Sequence, residues 1–176
     1  IKAGDVMLGD CYYPSFFLMA SLILTGVHGV FPAHFARKSD FRRGKRLGKK
    51  DHLVSWNRPV KPSWMTQDEY NVFPDKITIR ELVVESNQPG FRAKIRVLVT
   101  TFLSPDEVSK FDLANLYGLR WFVELTLRSI KETMHMDILR GKNPSMVRKE
   151  IWVHMLAYNL IRKIMAHAAW LHERPP

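Results

Sequence analysis

Apolar and polar residues alternate along this chain in three successive patterns. Residues 5–9 carry a short apolar run bounded by Asp5 and Gly9, which predicts a buried strand with Asp10 at its carboxyl end. Pro14 opens a longer apolar stretch that runs to about Thr25 and closes at Gly26, and residues 27–31 are apolar again. A strand, helix, strand unit follows from these signals. Between residues 51 and 103 the pattern turns β-rich, with runs at 52–56, 77–85 and 92–102. In the last of these, Lys94 and Arg96 alternate with Ile95 and Val97 as in a half-exposed strand, while Asn87 to Gly90 reads as a turn. The proline-rich link 59–74 is expected to be irregular.

Beyond residue 103 the period lengthens to that of a helix. Ser104, Pro105 and Glu107 form a capping-box pattern. The helix that follows should span about 112–136 and break near Gly141, with Leu116, Leu119, Phe122, Val123, Leu127 and Ile130 facing a core. Asn143 and Pro144 then open a last helix over 144–171, with an apolar stripe of Ile151, Met155, Tyr158, Ile161 and Met165. The first of these two helices also carries a polar set: Tyr117, Arg120, Glu124 and Lys131, spaced Y-x-x-R-x-x-x-E-x6-K. At ~100° per residue, offsets of three, seven and fourteen return to one stripe roughly 60° wide, and Arg128 joins it. Mixed charges on a helix face are commonly a solvated surface with a few i,i+4 pairs. One acid among bases, on a helix that should be buried, points instead to a working surface.

Charge sharpens that reading. Lys and Arg number 27 against 17 Asp and Glu, a formal charge of +10, so an anionic partner is favoured, and nucleic acid before a membrane. Eight of those cations fall within residues 37–50, interleaved with Gly44 and Gly48. Such a run is either a solvated loop or a phosphate-contacting one, and Arg42, Arg43, Lys45 and Arg46 are its candidate DNA contacts. Trp56 and Trp64 fit core packing, or stacking on an unpaired base. The single cysteine, Cys11, excludes an internal disulfide and a Cys-based zinc cluster and fits a reducing cytoplasm. Four histidines, His135, His154, His167 and His172, show no metal-ligand pairing. The apolar run 16–27 is too short to span a bilayer, and no signal peptide is visible. Length suits one domain or slightly more, and the start at Ile1, inside what reads as folded sequence, suggests residues missing upstream.

The stretch LYGLRWFVELTLRSIKETM resembles the signature of the insertion-sequence-four family of DNA transposases. LRGKNPSMVRKEIWVHMLAYNLIRKIMAHAA resembles the helices that close that family's catalytic domain. The resemblance implies an α/β, ribonuclease-H-like domain in two parts, residues 1–35 and 98–176, around a basic loop and β-rich insertion at 36–97. It makes Glu124 the last carboxylate of an Asp-Asp-Glu metal site and Asp10 the second, in the context Asp10-Cys-Tyr-Tyr-Pro. Asp5 competes but opens the strand and points to the opposite edge. No residue here matches the first Asp, so the chain reads as a carboxyl-terminal fragment without strand-transfer activity of its own. In the intact family member two Mg²⁺ or Mn²⁺ ions are expected, held by Asp10 and Glu124 among others, with Tyr117, Arg120, Arg128 and Lys131 on the transposon end. Transposon-end and target DNA are the implied partners, in a cytoplasmic homodimer performing cut-and-paste transposition. The alternative is a non-catalytic DNA-binding remnant of a truncated element. In a third reading the chain is a structural helical module in which Glu124 merely pairs with Arg120 and Arg128.

Overall fold

A computed structural model describes residues 1–85 and 95–173. The expected turn at 87–90, Arg92, Lys94 and the end of the tail at 174–176 lie outside the described residues. Two compact units emerge, Ile1–Arg120 and Trp121–Pro176, and each is treated by itself.

In the first unit β1 (Val6–Leu8), α1 (Phe16–Leu24) and β2 (His28–Pro32) form the expected crossover, with β1 and β2 parallel. Ser15 rather than Pro14 starts the helix, its hydroxyl accepting the Leu18 N–H at 3.2 Å. Gly26, at φ +68°, turns the chain back into β2. β3 (Lys45–Gly48), β4 (Asp51–Asn57), β5 (Lys76–Glu85) and β6 (Ile95–Thr100) extend the same sheet in the order β1-β2-β6-β5-β4-β3, and every pairing beyond β1 and β2 is antiparallel.

Period-two alternation sorts the sheet's side chains onto two covered faces. Ile77, Ile79, Trp56, Phe31 and Val99 pack beneath α1 with Phe16, Met19 and Leu22. On the opposite face Val30, Leu82, Val84 and Leu98 pack against Leu113 and Tyr117 of α3 (Lys110–Gly118). The core is thus a sheet between helices, an α/β arrangement.

Several expectations are corrected here. The basic stretch is not an open loop: its second half is β3, and Gly44 at φ +78° approaches the Leu53 carbonyl so closely that a Cβ would lie 2.0 Å from that oxygen. The link 59–74 contains α2 (Gln67–Asn71), capped reciprocally by Thr66 and Glu69. Ser104 to Glu107 do not start a helix. Ser109 and Asp112 form the capping box that does: Ser109 Oγ accepts the Asp112 N–H at 3.2 Å and the Asp112 carboxylate accepts the Ser109 N–H at 3.0 Å.

A buried ion pair crosses the sheet. Arg80 on β5, fully buried, donates from Nε and Nη2 to the Asp51 carboxylate of β4 at 2.9 and 2.7 Å, and from Nη1 to the Val108 carbonyl at 2.7 Å. Removing one partner strands the other in a dry interior, a loss of ~3–5 kcal/mol. Arg80→Ala is expected to lower the urea unfolding free energy by that amount. The double variant Asp51→Leu with Arg80→Met should recover most of it, because it removes both charges while filling the space.

Candidate active site

Asp10 lies just past the carboxyl end of β1, exposed to solvent. Its Oδ1 accepts the Cys11 N–H and its main-chain carbonyl accepts the Tyr13 N–H at 3.1 Å, which fixes the turn. The bond from Cys11 N–H, then the Cys11 side chain and then the nearby Arg120 and Arg96 hold the carboxyl below the usual aspartate range. Burial and the adjacent Asp10 push the Cys11 thiol up, so it stays protonated at neutral pH and is a poor nucleophile.

Sheet register explains why Arg96 is there. Pro32 of β2 pairs with Leu98 of β6, and the Ala33 N–H donates to the Val97 carbonyl at 2.8 Å. β6 runs antiparallel, so its start reaches the edge at which β1 and β2 end. α3 crosses the same face and delivers Tyr117, 3% exposed, with the Arg120 guanidinium carbon 5.5 Å from its ring centroid. Burial pushes the Tyr117 phenol up, against the pull of Arg120 and Arg96, leaving a neutral hydroxyl at neutral pH. The first unit therefore brings together Asp10, Tyr117 and Arg120 and adds Arg96, which alternation alone marked only as a strand residue.

Glu124, Arg128 and Lys131 belong to the second unit. The single helix expected over 112–136 is three segments: α3, α4 (Arg120–Arg128) and a π-helical turn (Ser129–Thr133). Leu119 stands between the first two. The π turn, closed by the Met134 N–H on the Ser129 carbonyl at 3.0 Å, is wider than an α-turn, so 100° per residue does not carry from Glu124 to Lys131. Glu124 is half-buried, whereas Arg128 and Lys131 are exposed.

The apolar positions are also corrected: Ile130 is buried and Leu116 packs against the sheet-facing cluster, but Leu119, Phe122, Val123 and Leu127 are exposed. Within this unit the last helix is α5 (Pro144–Leu171), capped by the Asn143 side chain on the Met146 N–H at 2.9 Å. The Tyr158 hydroxyl donates to Thr126 Oγ1 at 3.3 Å, linking α5 to α4. Glu150 accepts the Arg140 and Gly141 N–H groups at 2.9–3.0 Å, bonds that hold its carboxyl low and give it a structural use no spacing rule suggested.

Of the basic candidates, Arg42 and Arg43 both pair with Asp40, at 3.1 and 3.3 Å, while Lys45 and Arg46 project exposed from β3. Trp56 is buried and Trp64 is 73% exposed at the edge of the Phe17 ring. His52 and Glu81, buried opposite one another on β4 and β5, form a polar pair that the sequence reading missed. No group of three His, Cys, Asp or Glu side chains is placed to hold a metal among the described residues. No helix among them is long and apolar enough to cross a membrane.

Residues 1–160 match the family described as "Transposase DDE domain". The chain belongs to the IS4 family of DDE transposases. Over 172 residues it is 30% identical to the transposase InsG for insertion sequence element IS4 of Escherichia coli (strain K12), a match covering 96% of this chain and 37% of InsG. It is 39% identical over 69 residues to the putative transposase InsL for element IS186A of the same strain, covering 39% of this chain and 19% of InsL. The transposase for insertion sequence element IS421 of Escherichia coli matches equally well, 39% identical over 69 residues, with the same 39% and 19% coverage. This DDE transposase chain thus spans a little over a third of the length of InsG.

The charge state of Asp10 can be measured directly. Its folded-state pKa is depressed, so the carboxylate persists to lower pH than in an unfolded aspartate, and any stabilisation it gives is lost as pH falls through the lowered value. A carboxyl ¹³C titration is expected to place its midpoint below ~3.9, and Arg96→Gln or Arg120→Gln should each move it upward.

Proposed function

We propose that this chain forms part of a DNA transposase that cuts and rejoins phosphodiester bonds at transposon ends, in a ribonuclease-H-like domain. The observation that carries the reading is the group at the end of β1: an exposed, ionised carboxylate, Asp10, beside Tyr117 and Arg120 of the family's signature, in a chain whose residues 1–160 match the DDE domain.

Each residue has a definable task. Asp10 stays deprotonated across the neutral range and, with Glu124, offers hard oxygen donors of the kind Mg²⁺ and Mn²⁺ accept. A divalent cation held by carboxylates of this kind would supply a more nucleophilic oxygen and offset charge in the phosphoryl transition state. Arg120 and Tyr117 would grip a phosphate flanking the scissile bond, the guanidinium by charge and the phenol as a donor kept neutral by burial. Arg128 and Lys131, in the second unit, would contact DNA phosphates. Lys45 and Arg46, with Arg42 and Arg43 once exchanged from Asp40, would meet backbone phosphates without reading bases. Pairing of two chains, one per transposon end, belongs to the same proposal.

The proposal takes Asp10 and Glu124 as two of the family's three carboxylates and expects the chain to bind duplex DNA. The test is Mn²⁺ titration calorimetry on the wild type, Asp10→Asn and Glu124→Gln in the presence of duplex DNA. Loss of either carboxylate should weaken Mn²⁺ binding by about tenfold or more. If duplex binding persists while Mn²⁺ affinity ignores both substitutions, the catalytic reading falls and a DNA-binding remnant without chemistry replaces it.

A further inference from the structure

The edge that carries Asp10 also carries a cavity that none of the signature residues lines. It measures about 350 Å³ and is bounded by Pro32, Ala33, His34, Arg37, Arg96 and Val97, with Phe35 at its mouth. Two guanidiniums and an imidazole therefore share one small space over an apolar floor. Two guanidiniums lining one space offer a planar, charged set of donors of the kind that a phosphate accepts.

Arg37 is held in place from behind. Its guanidinium carbon lies 3.6 Å from the Trp56 ring centroid, a close stack on a buried indole. Trp56 is fixed in turn, since its Nε1–H donates to Glu81 Oε1 at 3.2 Å while the other Glu81 oxygen meets His52 Nε2 at 3.4 Å. Burial on the indole disfavours the Arg37 charge, and Glu81 offsets this only in part. Arg96 arrives by strand register from β6 and lies within electrostatic range of Asp10. Beyond His34 a second space of about 450 Å³ opens along Cys11, Tyr12 and Ser15. Rings run from one space to the other: exposed Tyr12 lies 5.6 Å from half-buried His34, and His34 lies 4.1 Å from exposed Phe35, centroid to centroid. Cations beside exposed aromatic faces suit a nucleotide better than a bare ion, because the rings offer a surface for base or sugar next to the phosphate.

We infer that Arg37 and Arg96 form a phosphate subsite next to Asp10, which takes one backbone phosphodiester of the DNA strand leading to the carboxylate. The inference rests on the DNA-acting reading above and names the subsite it did not contain. In it Trp56 and Glu81 are positioning residues, which set the Arg37 guanidinium without touching DNA.

The test uses the 176-residue chain, with labelled duplex DNA followed by anisotropy across a salt series and inorganic phosphate followed by the Trp56 indole ¹H–¹⁵N resonance. Arg37→Gln and Arg96→Gln are the variants, since glutamine keeps a planar polar head, and Lys76→Ala is the control cation, exposed at the far end of β5. Each glutamine variant is expected to weaken DNA binding about three- to tenfold near 0.1 M salt and to lower the slope of log affinity against log salt by ~0.9, with Lys76→Ala shifting neither appreciably. Phosphate should move the Trp56 indole resonance in the wild type and not in Arg37→Gln. The subsite is overturned if both glutamine variants bind DNA with the affinity and slope of Lys76→Ala and phosphate leaves the indole unmoved. If the wild type binds no DNA but phosphate shifts the indole through Arg37, the anion site stands and the DNA reading falls. Any variant that unfolds by circular dichroism is replaced by the lysine substitution, which should retain slope and affinity if charge is what matters.

Discussion

The pair of Arg80 and Asp51 is the constraint on which the first unit depends. A guanidinium with essentially no exposure must have its donors met, and here they are met by a carboxylate on the neighbouring strand and by the Val108 carbonyl just ahead of α3. One side chain thereby sets the relation of β4 to β5 and the point from which α3 departs. Since α3 carries Tyr117 onto the sheet and ends close to Arg120, the position of the candidate site's polar groups follows from a charge pair that takes no part in the chemistry.

The opposite face is organised around a second buried acid, with a different consequence. Glu81 meets Trp56 and His52, Trp56 carries Arg37, and His52 Nδ1 lies 2.6 Å from the Arg43 carbonyl. The start and the middle of the basic stretch are thus tethered to the sheet. Restraining the backbone that carries these cations would lower the entropy lost on binding the DNA of the proposed function. At Asp10, where the Cys11 N–H and then Arg120 and Arg96 favour the carboxylate, the two arginines would oppose the proposed metal ion. Phosphates arriving with DNA would relieve that opposition by occupying the arginines.

Legibility in the sequence tracked the range of the signal. β1, α1, β2 and α5 were readable because glycine, proline and a capping residue mark their ends within a few positions. The capping box was assigned to Ser104 and Glu107, five residues early, because Ser109 with Asp112 satisfies the same local rule and only packing chooses between them. β3 escaped notice because it is short, half charged and ends in glycine, and it is a strand through pairing with β4. In the site, Asp10, Tyr117 and Arg120 were found from a strand end and a spacing. Arg96, Arg37, His52 and Glu81 were not, since cross-strand register and a ring stack bring them into place and neither is written in consecutive residues.

The π turn at Ser129–Thr133 changes what a fixed residue spacing can mean. A turn closed to the fifth residue holds one residue more than a turn closed to the fourth. Losing a single residue there would let an α-helix run straight through and leave the positions beyond facing much as they do now relative to Glu124. The gap between the acid and the lysine can therefore differ by one residue without changing the face the helix presents, and a fixed text pattern would miss such a pair.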